Sequence, residues 1–167
     1  MATFHVGITG HRHLGDAADW VADTLRTCLH DLRTEHGPDI VAYSALAIGS
    51  DTLFAEAALE LDMRLEAVIP FEQYPHDFEP GPDRDRFEYL LARAAAVHSL
   101  PHTTRSHKAY LAAGKWIVDH SDILLAVHDG RPPNPTKGGT AETVDYASCC
   151  GHRVRVINPT TRVVRST

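Results

Sequence analysis

Phe4-His5-Val6-Gly7-Ile8-Thr9-Gly10-His11-Arg12-His13-Leu14-Gly15-Asp16 is the stretch that decides the fold. Phe4, Val6 and Ile8 alternate with His5, Gly7 and Thr9, the period-two pattern of a strand. Residues 10–15 break that pattern. Asp16 is placed to cap a helix whose apolar face carries Trp20, Val21, Leu25, Cys28, Leu29 and Leu32. A strand that passes through a glycine-rich turn into a helix sets the theme for the rest of the chain.

Downstream the same alternation repeats. Gly37-Pro38 ends the first helix, and residues 40–43 form a short second strand. A small-residue loop, 44–50, leads to a helix opened by Asp51. Residues 65–69 make a third strand, stopped by Pro70. A long irregular connection, 71–83, precedes a helix carrying Phe87, Leu90, Leu91, Ala94 and Ala95. Residues 97–100 read as a strand, and a helix runs from Ser106 or His107 to about His120. Residues 122–127 are continuously apolar after Asp122, the pattern of a central parallel strand buried on both faces. A proline-rich loop, 129–137, and Gly138-Gly139 lead to a last helix and a strand at 154–157.

About six strands alternating with about five helices predict an α/β chain with a three-layer Rossmann-like fold. Its sheet is mainly parallel and flanked by helices on both sides. One nucleotide-binding domain, 1–159, is expected, followed by a polar tail at 160–167 that frays. In such sheets ligands bind beyond the carboxyl ends of the strands, near the point where strand order reverses.

The 167 residues are 43% hydrophobic and 23% charged, ordinary for one globular domain. The net charge of -6 argues against nucleic acid and against anionic membranes as partners, which call for a basic face. It leaves room for an anionic small ligand, because a local nest of amides can outweigh global charge. No stretch approaches the length of a membrane span. The three cysteines lack paired spacing and nothing like a leader precedes the first strand, so a cytoplasmic location is expected.

Three loops carry the candidate site. In the first, Gly7 and Gly10 let a ligand approach the backbone, Thr9 offers a hydroxyl, and His11 and Arg12 offer donors to phosphate. The second contributes Ser44, Ala45, Gly49, Ser50 and Asp51. Here Ser50 caps a helix whose amides face an anion, and Asp51 either accepts ribose hydroxyls or sits in the first helical turn. In the third, Gly138 and Gly139 open a helix as a phosphate nest, Thr140 adds a hydroxyl, and Glu142 is the candidate catalytic carboxylate. Tyr74, in the long connection, is either a candidate lid residue that stacks on a base or an ordinary aromatic plug over the core. The twelve histidines show no metal-ligand spacing, so neither a metal site nor a cofactor is expected.

At these loops the sequence resembles the SLOG superfamily, named for the DNA-processing Smf and Lonely Guy (LOG) proteins. Gly7–Arg12, residues 45–58 (ALAIGSDTLFAEAA) and residues 121–147 carry the resemblance in order along nearly the whole chain. It looks most like small stand-alone bacterial SLOG-domain proteins. The resemblance implies a Rossmannoid fold, a nucleotide-derived ligand and a homodimer. The LOG branch hydrolyses the N-glycosidic bond of nucleoside 5'-monophosphates through P-G-G-x-G-T-x-x-E and an Arg on the preceding helix. Here Lys137 replaces the proline. The motif is shortened, so that Thr140 and Glu142 match its Thr and Glu or Asp145 takes the acidic place. The preceding helix offers Lys108 and Lys115 but no Arg. Binding or sensing of a ribose-phosphate ligand is therefore the leading expectation, with LOG-like hydrolysis the alternative.

Overall fold

A computed structural model describes residues 2–134 and 139–167 of the chain. The elements follow in the order β1 (Phe4–Gly10), α1 (Ala18–His36), β2 (Ile40–Ser44), α2 (Ser50–Glu60), β3 (Arg64–Ile69), α3 (Pro82–Arg93) and β4 (Ala96–Ser99). Then come α4 (His107–His120), β5 (Ile123–Val127), α5 (Thr140–Cys149), β6 (Val154–Asn158) and β7 (Val163–Ser166). Asp16 caps no helix; it lies inside a 3-10 turn, Gly15–Ala17, that feeds α1.

The strands form one sheet in the order β4-β3-β2-β1-β5-β6-β7. Each pair is parallel except β6 with β7. This is an α/β fold with a mostly parallel, Rossmann-like sheet, as the alternation of elements predicts. The strand count is seven rather than about six. Residues in the supposed frayed tail pair antiparallel with β6, Val163 opposite Asn158 and Arg165 opposite Val156. All four residues of β7 are exposed, so apolar patterning gave no sign of it. The β6 ladder holds β7 in place, not burial of its side chains.

Side-chain parity explains why β5 is apolar throughout. Ile123, Leu125 and Val127 pack with α1 and α2 on one face. Leu124 and Ala126 pack with α4 and α5 on the other. A third cluster under α3 gathers Phe71, Tyr74, Phe78 and Phe87. Among the described residues no helix is long and apolar enough to cross a membrane.

The chain winds outward from β1 to β4 and then returns to place β5 on the other side of β1. Strand order therefore reverses between β1 and β5. The loops leaving those two strands must part, and a crevice opens between them. Leu125 lies fully buried on β5 beside that point. Leu125→Ala should cost about 2–5 kcal/mol of folding stability, measured by denaturant unfolding. A loss well under that range would mean that the central strand is less tightly packed than described.

Candidate functional site

A cavity of about 860 Å³ opens at the carboxyl ends of β1 and β5, within the usual size of a small-molecule site. Thr9, Gly10, His11 and Arg12 supply one wall, and Ala45, Ala47 and Asp51 a second. Tyr110 and Gly114 of α4 supply a third. His128, Asp129 and Asn134 follow β5, and Gly139, Thr140 and Thr143 close the ring from α5. Three separated loops thus meet, as the sequence reading requires.

The Ser50 amide and hydroxyl together weld the first two loops. The Ser50 amide donates to the His11 carbonyl at 3.2 Å, and the Ser50 hydroxyl donates to the same oxygen at 2.7 Å. Gly49 sits at φ +90, where a Cβ would lie 2.3 Å from the Arg12 carbonyl oxygen. A side chain is excluded there twice, by conformation and by space. The Ser50 amide is consequently spent on the protein, contrary to the expectation that it faces an anion. Gly7 is likewise a packing glycine: a Cβ would meet Ile117 Cγ2 at 2.3 Å. It lets α4 lie close on β1, behind the cavity wall.

The second loop is wound by its own polar groups. The Ser44 hydroxyl donates to the Asp51 carbonyl at 3.0 Å and accepts the Leu46 amide at 3.1 Å. The Asp51 carboxylate accepts the Ala47 amide at 3.3 Å. Leu46, buried between them, adopts φ +57. Such a backbone persists in a leucine only where its surroundings over-determine it. Ser44 therefore shapes the loop and does not reach the cavity, whereas Asp51 does both. Burial pushes the Asp51 carboxyl up to about 7, against the pull of the Ala47 amide and the Arg12 charge.

Arg12 lies across the Tyr110 ring, 5.2 Å from its centroid. The Tyr110 hydroxyl in turn donates to Asp77. Tyr74 is 1% exposed and packs edge-on against Phe71, Phe78 and Phe87. The expected lid is thus a fixed wall: Tyr74 touches the cavity from within an aromatic core and does not hang over it. A 3-10 turn, Tyr74–Asp77, and amide bonds from Glu72 and Gln73 to the carbonyls of His102 and Thr103 hold this segment down.

The third loop departs further from expectation. Gly138 and Lys137 lie outside the described residues. Gly139 takes the cap position of α5 without a side-chain cap, and a Cβ there would make only ordinary contact, with Leu111 backbone atoms and Thr143 Oγ1 at 3.9 Å. Gly139, Thr140 and Ala141 border the cavity, so α5 directs its positive end there. Glu142 does not. Its carboxylate pairs with His107 Nε2 at 2.8 Å, bracing the first turns of α5 and α4. The candidate catalytic carboxylate is off the cavity wall, because its partner lies across the helix pair.

The sequence reading passed over His128 and Asp129. They follow the last residue of β5, and the register Gly10↔Val127 sets His11 beside His128. His11 Nε2 accepts the Asp129 amide at 3.1 Å, and His128 Nδ1 accepts the Gly130 amide at 3.2 Å. Burial, then the His11 charge, lowers the His128 pKa. The signal that could have found the pair is positional: they come immediately after the most apolar strand of a parallel sheet. Tyr110, Gly114 and Thr143 were also missed. Gly114 permits the α4–α5 crossing, since a Cβ there would meet Thr143 Oγ1 at 2.2 Å.

No family model matches the sequence, and no curated protein matches it either. Solved structures do. DNA processing protein A from Streptococcus pneumoniae is 20% identical, with a TM-score of 0.66 over 92% of this chain and 50% of that one. This chain therefore spans half the length of that protein. DNA processing protein A from Helicobacter pylori, described by its single-stranded DNA binding mode, is 17% identical, with a TM-score of 0.68 over 95% of this chain and 70% of its own. The Moco carrier protein of Chlamydomonas rheinhardtii is 13% identical, with a TM-score of 0.54 over 93% and 76%.

These likenesses correct one expectation. Net charge argued against nucleic acid as a partner, yet a protein described as binding single-stranded DNA shares this fold. Single-strand binding needs a local groove and stacking surfaces, which the charge of a whole chain does not report.

Asp51 makes the site sensitive to pH. Folding raises its pKa, so the folded chain holds more protons than the unfolded chain between the ordinary carboxylate value and about 7. Stability contributed by that proton is complete at low pH and is lost as pH rises through this window. Asp51→Asn removes the titration. Unfolding measured from about pH 5 to about pH 8 should show the variant gaining on the parent as pH rises. A pH-independent difference would place the Asp51 pKa near its ordinary value.

Proposed function

We propose that this chain, which has the SLOG-type Rossmannoid fold, binds a nucleotide or a nucleotide-derived ribose phosphate in the cavity between β1 and β5. One observation carries the reading: the amino end of α5 opens, without a side-chain cap, on a cavity that also holds the Arg12 guanidinium. Helix starts and arginine forks are the two commonest ways to hold a phosphate in such folds. Asp51 and Thr140 line the cavity from two different loops and can take ribose hydroxyls. Tyr110 and the Pro132–Pro133 edge give apolar surface for a base.

Binding is favoured over hydrolysis. The carboxylate that the LOG motif would place at the sugar is Glu142, and it is engaged with His107; Asp51, the carboxyl that does line the cavity, belongs to a different loop. The Helicobacter likeness supports a second reading, in which the nucleotide belongs to a single strand. A strand end entering the same cavity would meet the same phosphate donors.

Nucleoside 5'-monophosphates should raise the thermal midpoint of the chain where the parent nucleosides do not. Gly139→Val adds bulk beside the cavity at a position where a Cβ makes only ordinary contact. It should stay folded and weaken nucleotide binding by roughly tenfold or more, about 1.4 kcal/mol. Retained affinity would move the phosphate away from α5. A labelled thymidine oligonucleotide that competes with the mononucleotide would establish the second reading. Incubation should release no free base; its appearance would restore the hydrolase.

A further inference from the structure

We infer that His11, His128 and Asp129 form a binding site for a divalent transition-metal ion in the cavity wall. Each of the three offers one ligand atom, and these atoms lie within 4.8 Å of one another. His11 Nε2 is 3.3 Å from Asp129 Oδ1, and the two imidazole rings are 5.4 Å apart, tilted by 33°. Two imidazoles and one carboxylate are a donor set that zinc-class ions take readily, with positions left for water or substrate.

A second observation points to a missing ligand. His128 is 8% exposed, and its Nε2 has no hydrogen-bond partner among the described residues. Buried polar atoms in folded proteins are nearly always satisfied, so an orphaned imidazole nitrogen beside a cavity calls for an explanation. The Gly130 amide occupies Nδ1, which puts the ring proton on Nε2, an atom with no hydrogen-bond acceptor in place among the described residues, although the Arg131 backbone also interacts with the ring. An ion bound at His128 Nε2 would move that proton to Nδ1, so that the Gly130 amide must turn away, and would take His11 Nε2 in place of the Asp129 amide.

The present partners of both rings are themselves informative. His11 and His128 each accept one amide, and the two donors are consecutive, Asp129 and Gly130. Two ring lone pairs thus already face positive hydrogens from one short piece of loop. Gly130, exposed and at φ +83, gives that piece the freedom to turn both amides away together, freeing His11 Nε2 and making room for a proton on His128 Nδ1. The resulting ion would sit where strand order reverses, with its open coordination positions toward the cavity. There it could take a phosphate oxygen or polarise a water.

The test uses the full, tag-free chain, stripped with a chelator and titrated calorimetrically with Zn²⁺ alone; Co²⁺ serves as the spectroscopic stand-in. One ion per chain and a Co²⁺ absorption spectrum of low coordination number are expected. His128→Ala could fail to fold, since the ring is buried. His11→Ala and Asp129→Asn alter less buried side chains and should each weaken Zn²⁺ by roughly tenfold or more. His30→Ala, on the outer face of α1, should leave it unchanged. Absence of saturable binding, or binding that survives both substitutions, overturns the site. Because the probe is the metal alone, the inference can fail while nucleotide binding stands, and the reverse.

Discussion

The parallel ladder between β1 and β5 is the contact on which the rest depends. It pairs Val6 with Ile123 and ends with Gly10 beside Val127. Its two strands are separated in sequence by the whole excursion through β2, β3 and β4. The return across β1 sends the loop after β1 toward one side and the loop after β5 toward the other. The crevice between them is a topological necessity, and chemistry is gathered there because loops from both halves of the sheet must end there.

Close packing then fixes what the topology leaves open. Gly7 leaves room for the Ile117 and Ser121 side chains against β1, and Gly114 leaves room for the Thr143 side chain against α4. Gly49 rests on the Arg12 backbone, and Ser50 holds the His11 carbonyl through both its amide and its hydroxyl. These contacts leave the first two loops little freedom, so Arg12 and Asp51 are presented in a set geometry. Preorganised donors lower the entropic cost of ligand binding. The aromatic cluster around Tyr74 serves the same end, as a rigid floor under the Arg12–Tyr110 pair.

The buried groups of the wall share an electrostatic logic. Asp51 is desolvated and holds its proton to about 7, so it contributes little negative charge at lower pH. Burial lowers the His128 pKa. Arg12 and the start of α5 remain as positive features of a chain whose net charge is -6. Local desolvation and helix geometry thus make the Arg12 and α5 side of the cavity positive in an acidic molecule, while Asp129, whose pKa is lowered, stays ionised across from it.

The sequence by itself determined the elements and their layering. Period-two and helical apolar patterns record which face of each element is buried, and that is a local property. The apolar run of β5 shows this, as does the placement of Thr9, Gly10, His11, Arg12, Ala45, Asp51, Gly139 and Thr140 at strand ends that prove to share one cavity. Only the tertiary structure decided how those residues are used. Gly7, Ser44, Gly49 and Ser50 are spent on packing and loop shape, Glu142 on His107, and Tyr74 on an aromatic core. His11 meets His128 through strand register alone, and β7 exists through backbone pairing without apolar burial. Each of these depends on a partner distant in sequence, and local pattern carries no record of such partners.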